Sequence, residues 1–243
     1  MKLIKLNAID STSSFLKDLA QNSTLENFTV VTAEAQTKGR GQQTNSWISE
    51  PYKNLTTSVY INNLDLEIMN QKYLNFAVSL ALFDLLSTKE IKALSIKWPN
   101  DIMSANKKLC GILIENNIRK KRIHSTIIGI GLNVNQQDFP NSLTNTTSLK
   151  KVTNKEFNLD VLLTELIEKI KKRIQLLSLK KYELFENEYL KVLYKRNIPT
   201  MFKDKNGILF MGKIVGISES GNLQIELEDE SIKEFRIKEI SMA

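Results

Sequence analysis

Ala33-Glu34-Ala35-Gln36-Thr37-Lys38-Gly39-Arg40-Gly41-Gln42-Gln43-Thr44-Asn45-Ser46-Trp47 is the stretch from which the rest of the chain can be read. The apolar run Phe28-Thr29-Val30-Val31-Thr32-Ala33 leads into it and predicts a buried strand. The β-branched run Asn54 to Ile61 follows and predicts a second strand. A polar loop therefore hangs between two strands, with Arg40 held between Gly39 and Gly41. Glycine lets backbone approach a ligand closely, and arginine offers a rigid fork of donors for carboxylate or phosphate. Trp47 at the exit supplies a flat ring for stacking. Taken alone, the tripeptide favours a mobile surface hairpin over a ligand loop.

Three later segments shift the balance: Lys97-Trp98-Pro99-Asn100-Asp101, Lys108-Leu109-Cys110-Gly111-Ile112-Leu113-Ile114-Glu115, and Gly129-Ile130-Gly131-Leu132-Asn133-Val134-Asn135. With the Gly-Arg-Gly loop, and in this order, they resemble the biotin protein ligase family over nearly the whole chain. The Lys-Trp-Pro-Asn-Asp and Lys-Leu-x-Gly-Ile-Leu-x-Glu pair is the most specific part of the likeness. The resemblance implies an α+β fold, a mixed-sheet catalytic domain with packed helices of the class II synthetase-like, biotin/lipoate ligase type.

The 243 residues allow one large domain, or one with a small companion. With 42% hydrophobic and 25% charged residues the composition is that of an ordinary globular chain. A single cysteine excludes an internal disulfide and fits a reducing cytoplasm. The first residues are too interrupted for a signal peptide, and no uncharged apolar run is long enough to span a bilayer. The net charge of +7 would suit nucleic acid. The lysines are spread along the chain, however, which favours solvated faces and at most a mild attraction for ATP or an acidic partner.

In chain order, Leu3 to Leu6 predicts a short strand. Asp10-Ser11-Thr12-Ser13-Ser14 then offers N-cap residues for a helix carrying Phe15, Leu16, Leu19 and Ala20. Asp65 to Leu86 has helical apolar spacing and predicts the main core helix. Leu94 to Trp98 predicts a strand stopped by Pro99, with Asn100 and Asp101 in a turn. Lys108 to Asn116 and Ile123 to Val134 predict two strands joined by a hairpin over 117–121. His124, the one histidine, reads as structural. Polar residues 136–148 predict a loop. Leu159 to Leu179 and Lys180 to Tyr194 predict amphipathic helices.

Past Arg196, short runs at Pro199–Phe202, Ile208–Ile217, Leu223–Leu227 and Ile232–Ile237 alternate with Asn-Gly and Gly-Asn turns, the pattern of a small β-barrel. It matches the SH3-like C-terminal domain of the resembled family. The expected division is 1–195 and 196–243.

The chemistry narrows by what is missing. The sequence has no G-x-S-x-G elbow and no G-x-x-x-x-G-K-[ST] loop. One cysteine and one histidine cannot make a Cys–His metal cluster. Cys110 sits inside an apolar strand, where a small buried hydrophobe is the ordinary role. Cations (Arg40, Lys97, Lys108), amides (Gln36, Asn100, Asn133) and one acid (Asp101) remain. Such a set positions anions. Activating a carboxylate as an acyl-adenylate needs it, because two anions must meet, their repulsion offset by fixed cations and Mg²⁺.

The resemblance implies that the substrates are biotin and ATP, with Mg²⁺, and that the acceptor is a lysine of a biotin carboxyl carrier protein. It implies biotin-ring contacts from Ser11, Thr12 and Gln36, with Ser13 standing where the family has Asn. Gly39, Arg40, Gly41 and Gln42 would form the loop over the biotin carboxylate and the phosphates, and Trp47 would pack on adenine. Lys97, Asn100 and Asp101 would hold phosphate, metal or the incoming lysine. Lys108 would contact the carboxylate end of biotin, Gly111, Gly129 and Gly131 would shape the pocket, and Asn133 would reach the nucleotide. No protein residue is assigned as a metal ligand. Trp98, Gly111 and Gly129 also read as plain packing residues.

The family loop usually reads G-R-G-R-x-G. Gln42 and Thr44 replace one charge and one glycine, which bears on how tightly the adenylate is held. Many bacterial members carry an N-terminal helix-turn-helix domain. Here the pattern begins almost at Met1, so a monofunctional, cytoplasmic ligase is expected, monomeric or homodimeric, without specific DNA or a membrane partner. The alternatives are a lipoate–protein ligase or octanoyltransferase of the same fold, separable by thermal shift with biotin against lipoate, and a basic nucleic-acid-binding protein. The barrel strands show no aromatic stacking platform for the latter.

Overall fold

A computed structural model describes residues 2–43 and 45–243. Thr44, one of the two departures in the loop, lies outside the described residues. Strand β1 (Leu3–Ile9), helix α1 (Thr12–Asn22) and β2 (Thr29–Gln36) form a parallel crossover unit. Antiparallel partners extend the sheet: β3 (Leu55–Glu67), β4 (Leu94–Lys97), β5 (Asp101–Ser104), β6 (Lys107–Arg119) and β7 (Arg122–Leu132). The order across it is β1-β2-β3-β7-β6-β5-β4. The segment between β2 and β3 carries the Gly-Arg-Gly loop.

Apolar residues are buried on both faces of the sheet. Neighbours Val30 and Val31 join different core clusters, as do Ile127 and Ile128, because successive side chains leave opposite faces. On one face α1 packs Leu16 against Val31 and Ile127. On the other, α2 (Gln71–Ser87) is apolar nearly all round and packs against α4 (Leu159–Ser178) and α5 (Tyr182–Lys191). The short α3 (Leu149–Thr153) stands before α4.

Three expectations need correction here. Asp101 is not a turn residue: it opens β5, paired with Lys97 across a turn formed by residues 98–100, and β5 itself was not expected. The core helix does not begin at Asp65. Asp65 to Glu67 complete β3, where buried Leu66 pairs with Ile123 and Arg122 holds both flanking acids; a 3-10 turn, Ile68–Asn70, then precedes α2. The β6–β7 connection is also shorter than 117–121. Lys120 and Lys121 make the turn with φ of 47° and 63°, the sign that a two-residue hairpin loop requires. The strands therefore run on to Arg119 and from Arg122.

A second, five-stranded antiparallel sheet follows, ordered β11-β10-β9-β8-β12. Its strands are β8 (Pro199–Asp204), β9 (Leu209–Ile217), β10 (Leu223–Leu227), β11 (Ile232–Phe235) and β12 (Ile240–Met242), the last absent from the sequence reading. Stacked Phe202, Phe210 and Phe235 line its interior. This unit is fastened to the first. Ile96 of β4 exchanges backbone bonds with Val192 and Tyr194. Gly221, at φ +84° in the β9–β10 turn, accepts the Trp98 indole N–H at 3.1 Å. Lys72 Nζ donates to the Ser218 carbonyl at 3.2 Å.

Candidate functional site

The site grows from the start of α1. Ser11 is its N-cap, its hydroxyl accepting from the Ser14 N–H. The next free helical N–H, on Thr12, is satisfied by Gln36 Oε1 at 2.8 Å, and the same oxygen takes the Thr12 hydroxyl at 3.1 Å. Gln36 thus ties the end of β2 to the helix, answering a donor that a helix N-terminus leaves open. Ser58 on β3, which the sequence reading passed over, is fully buried and holds both the Thr12 and Ser13 hydroxyls, at 2.8 and 2.9 Å. Gly129 makes room for this: a Cβ there would lie 2.5 Å from Ser13 Oγ. The hydroxyl in Thr57-Ser58 at β-strand alternation was the signal that could have found it.

The loop forms a small hairpin over the sheet. Trp47 N donates to Gly39 O, and Gly41 N to Asn45 O, each at 2.8 Å. The hairpin sets the Trp47 indole down across two glycines that face each other in register, Gly111 on β6 and Gly131 on β7. A Cβ on Gly131 would fall 2.3 Å from indole Cε2, and one on Gly111 3.2 Å from Cζ3. The paired glycines are a flat cradle for a ring. The indole Nε1 is buried without a partner among the described residues.

A β-bulge turns Lys108 into the cleft. Ile102 faces Cys110 and Met103 faces Lys108, so Leu109 is the extra residue. The shift breaks the alternation, and Lys108 and Gly111, an odd number of positions apart, come together: Lys108 Nζ lies 3.2 Å from where a Gly111 Cβ would stand. Lys108 is fixed by its backbone to Asn145 and Thr147, pairs with Asp101 at 2.7 Å, and has Nζ 5.8 Å from the Trp47 ring centre. Asn100 is buried, its amide bonded to Ile112 O, which braces the Lys97–Asp101 turn on β6.

These groups line one cavity of about 260 Å³. It brings together Ser11, Thr12, Ser13, Gln36, Arg40, Gly41, Gln42, Trp47, Lys97, Asn100, Asp101, Lys108, Gly111, Gly129 and Gly131 of the expected residues. Two expected residues are elsewhere. Gly39 sits in the loop neck, packed on the Trp47 carbonyl. Asn133 is 1% exposed and donates its amide to Thr147 O, so it braces the 133–147 segment behind the cleft. The walls also include Trp98, Pro99, Asn45 and Ser46, which had no assigned role. Arg40, Lys97 and Lys108 face the cavity against the single carboxylate Asp101. An excess of fixed cations beside neutral hydroxyls and amides suits a polar molecule bearing an anionic end. Cys110 is fully buried, and burial pushes its thiol above the ordinary range, so it is no nucleophile. His124 is exposed on β7 and is not part of the lining. No group of three or more acidic, His or Cys side chains suited to a metal is found among the described residues.

Known proteins resemble this chain over nearly its whole length. The model of the biotin/lipoate A/B protein ligase family matches residues 6–133, and that of the biotin protein ligase C-terminal domain matches 198–241. The bifunctional ligase/repressor BirA of Bacillus spizizenii is 31% identical over 99% of this chain and 74% of its own length. The biotin–[acetyl-CoA-carboxylase] ligase of Mycobacterium tuberculosis is 32% identical over 44% of this chain and 40% of its own. A biotin protein ligase from Aquifex aeolicus, solved in complex with biotin and ATP, superposes with a TM-score of 0.78 at 29% identity, covering 100% of this chain and 98% of the other.

Proposed function

Since the chain belongs to the biotin/lipoate A/B protein ligase family, we propose that it activates biotin as biotinyl-5′-AMP at the expense of ATP and transfers it to a lysine of a biotin carboxyl carrier protein. The observation that carries this reading is the cleft of three cations and one carboxylate beneath the Gly-Arg-Gly hairpin. The hydroxyls of Ser11 and Thr12 and the amide of Gln36 form its uncharged part and suit the ureido ring, with Ser13 alongside. Gly111 and Gly131 seat the Trp47 indole, which would pack on the adenine.

Arg40 and Lys108 stand where the biotin carboxylate and the α-phosphate must approach, and they lower the repulsion between those anions. Lys97 holds phosphate oxygens on a turn that Asn100 braces through its amide bond to Ile112 O, with Gly39, Gly41 and Gln42 closing the loop over the product. Mg²⁺ would enter on the triphosphate and supply further charge neutralisation; a cation that keeps most of its waters needs one or two protein carboxylates, and Asp101 is the carboxylate in the lining. Once the adenylate forms, the acceptor amine attacks the acyl carbon and AMP leaves, with Asp101 placed to orient the amine. Asn133 has no part in this scheme, since its amide is committed to Thr147 O.

The proposal includes two folding units divided near Lys195, a cytoplasmic location, and action as a monomer or homodimer without a specific DNA or membrane partner. Among the described residues no helix is long and apolar enough to cross a membrane. A gel shift with biotin-operon-type operator DNA at physiological salt tests the DNA clause; a sequence-specific shift overturns it. The central test is transfer of labelled biotin to a purified carboxyl-carrier domain. Label should appear on the carrier lysine only when ATP is present, and ATP-independent or absent labelling refutes the reading.

A further inference from the structure

Glu115 ends the Lys108–Glu115 segment, lies outside the cleft lining and has no part in the adenylation scheme. Its carboxylate nevertheless takes the Arg40 guanidinium in a two-pronged grip, Nη1 to Oε2 and Nη2 to Oε1, both at 2.9 Å. The carboxylate side chain is only 21% exposed, and Lys17 of α1 stands 3.4 Å from Oε1. Arg40 Nη1 also lies 3.5 Å from Ser14 Oγ. A pair of this fork geometry is stronger and more directional than a surface contact.

The rest of the hairpin is bonded to itself. Among the described residues 39–46, Arg40 alone supplies side-chain hydrogen bonds that tie the hairpin to the sheet and α1. The loop entrance is fixed separately, where Asp10 accepts from the Thr37 hydroxyl at 2.6 Å and pairs with Lys38 at 3.2 Å. The hairpin thus has one polar anchor at its entrance and a second at Arg40, besides the Trp47 indole seated on Gly111 and Gly131. A guanidinium has five N–H donors; Glu115 uses two, and Arg40 still borders the cleft.

We propose that Glu115 is a positioning residue: it holds the Arg40 guanidinium by one edge, leaving the remaining N–H groups for the ligand's anions, and through Arg40 it holds the hairpin over the cleft. Lys17 steadies the carboxylate from the helix side. The kinetic part of this inference rests on the proposed adenylation, whereas the mechanical part does not.

The test compares the wild-type chain with Glu115→Gln, Arg40→Ala and the double variant. Without ligand, trypsin cleavage after Lys38 should be faster in Glu115→Gln by about three- to tenfold, equivalent to roughly 0.7–1.4 kcal/mol. In ATP–pyrophosphate exchange with biotin, the same variant should raise the KM for ATP by a similar factor, with a smaller change in kcat. In both measurements Glu115→Gln should add nothing to Arg40→Ala, since residues that act through one another are not additive. Unchanged cleavage in Glu115→Gln overturns the inference, as does an effect that multiplies on the Arg40→Ala background, or a loss of kcat with unchanged KM. Absence of biotin-dependent exchange in the wild type would refute the proposed function instead, and the cleavage series would still decide whether Glu115 holds the loop.

Discussion

Replacing Lys108 by alanine should cripple adenylate formation and leave the fold standing. Its Nζ is 2.7 Å from Asp101 with side chains 35% and 25% exposed, so the ion pair itself is half-screened and contributes at most about 1 kcal/mol to stability. Its backbone is held independently by Asn145 and Thr147, and the bulge does not depend on the side chain. Toward an anion in the cleft the account differs. Loss of a charge-assisted hydrogen bond costs on the order of 1.5–3 kcal/mol, roughly ten- to a hundredfold in rate or affinity. A second penalty follows, because Asp101 is left as an unopposed negative charge where a phosphate must come in. ATP–pyrophosphate exchange with biotin reads the loss, and the melting temperature controls for folding. Lys108→Arg should recover only part of the rate, since a planar fork does not replace a compact ammonium. If Lys108→Ala exchanges pyrophosphate within about twofold of wild type, a change of roughly 0.4 kcal/mol, the cation is not at the chemistry and the reasoning fails.

Gly131→Ala should dislodge the Trp47 indole, because the new methyl would lie 2.3 Å from Cε2; the expected outcome is altered tryptophan emission and weaker ATP binding, and an unchanged spectrum would dispose of the glycine cradle. Cys110 should resist thiol-specific alkylation at neutral pH until the chain unfolds, being fully buried with its thiol shifted upward; rapid labelling of the native chain would contradict that placement. Burial, assisted by its hydrogen bond to Glu186, pushes the Tyr73 phenol from 10.0 up to about 12. The folded state therefore keeps a proton that the unfolded state releases, and the stabilisation present below pH 10 is lost as pH rises toward 12. Urea unfolding at pH 9 and pH 11 should show a steeper alkaline loss in the wild type than in Tyr73→Phe; equal slopes would refute it.

Element types were largely legible in the sequence, since β-branched runs and helical spacing each impose their own period. Leu223–Leu227 was read to the residue. What failed had tertiary causes. Asp65 and Glu67 look helical beside Leu66, yet they end β3 because Arg122 across the strand pair takes both acids. The last strand, Ile240–Met242, is three residues long and exists by pairing with β8, which no local pattern announces. The motif residues come together around one cavity, but the sequence does not show how they are held there. Simple alternation sends Lys108 and Gly111 to opposite faces; only the extra residue at Leu109 reconciles them. The family resemblance implies a nucleotide contact for Asn133, but its amide meets the Thr147 carbonyl instead. Glu115 could be quoted as a motif residue, while its partner Arg40 lies 75 positions away.

The bonds that Ile96 makes with Val192 and Tyr194 bear on any attempt to shorten the chain. Residues 192–194 run beside β4 and occupy the outermost hydrogen-bonding row of the large sheet, so the connecting segment doubles as a selvedge. A truncation before Val192 would remove more than the second sheet. It would bare the unpaired N–H and C=O groups of β4, an invitation to intermolecular pairing, one step from Lys97. It would also deprive Trp98 of the Gly221 carbonyl that receives its indole. A minimal version of this protein cut at that point should therefore be sticky and poorly ordered at the Lys97–Asp101 turn, even though every residue of that turn is retained.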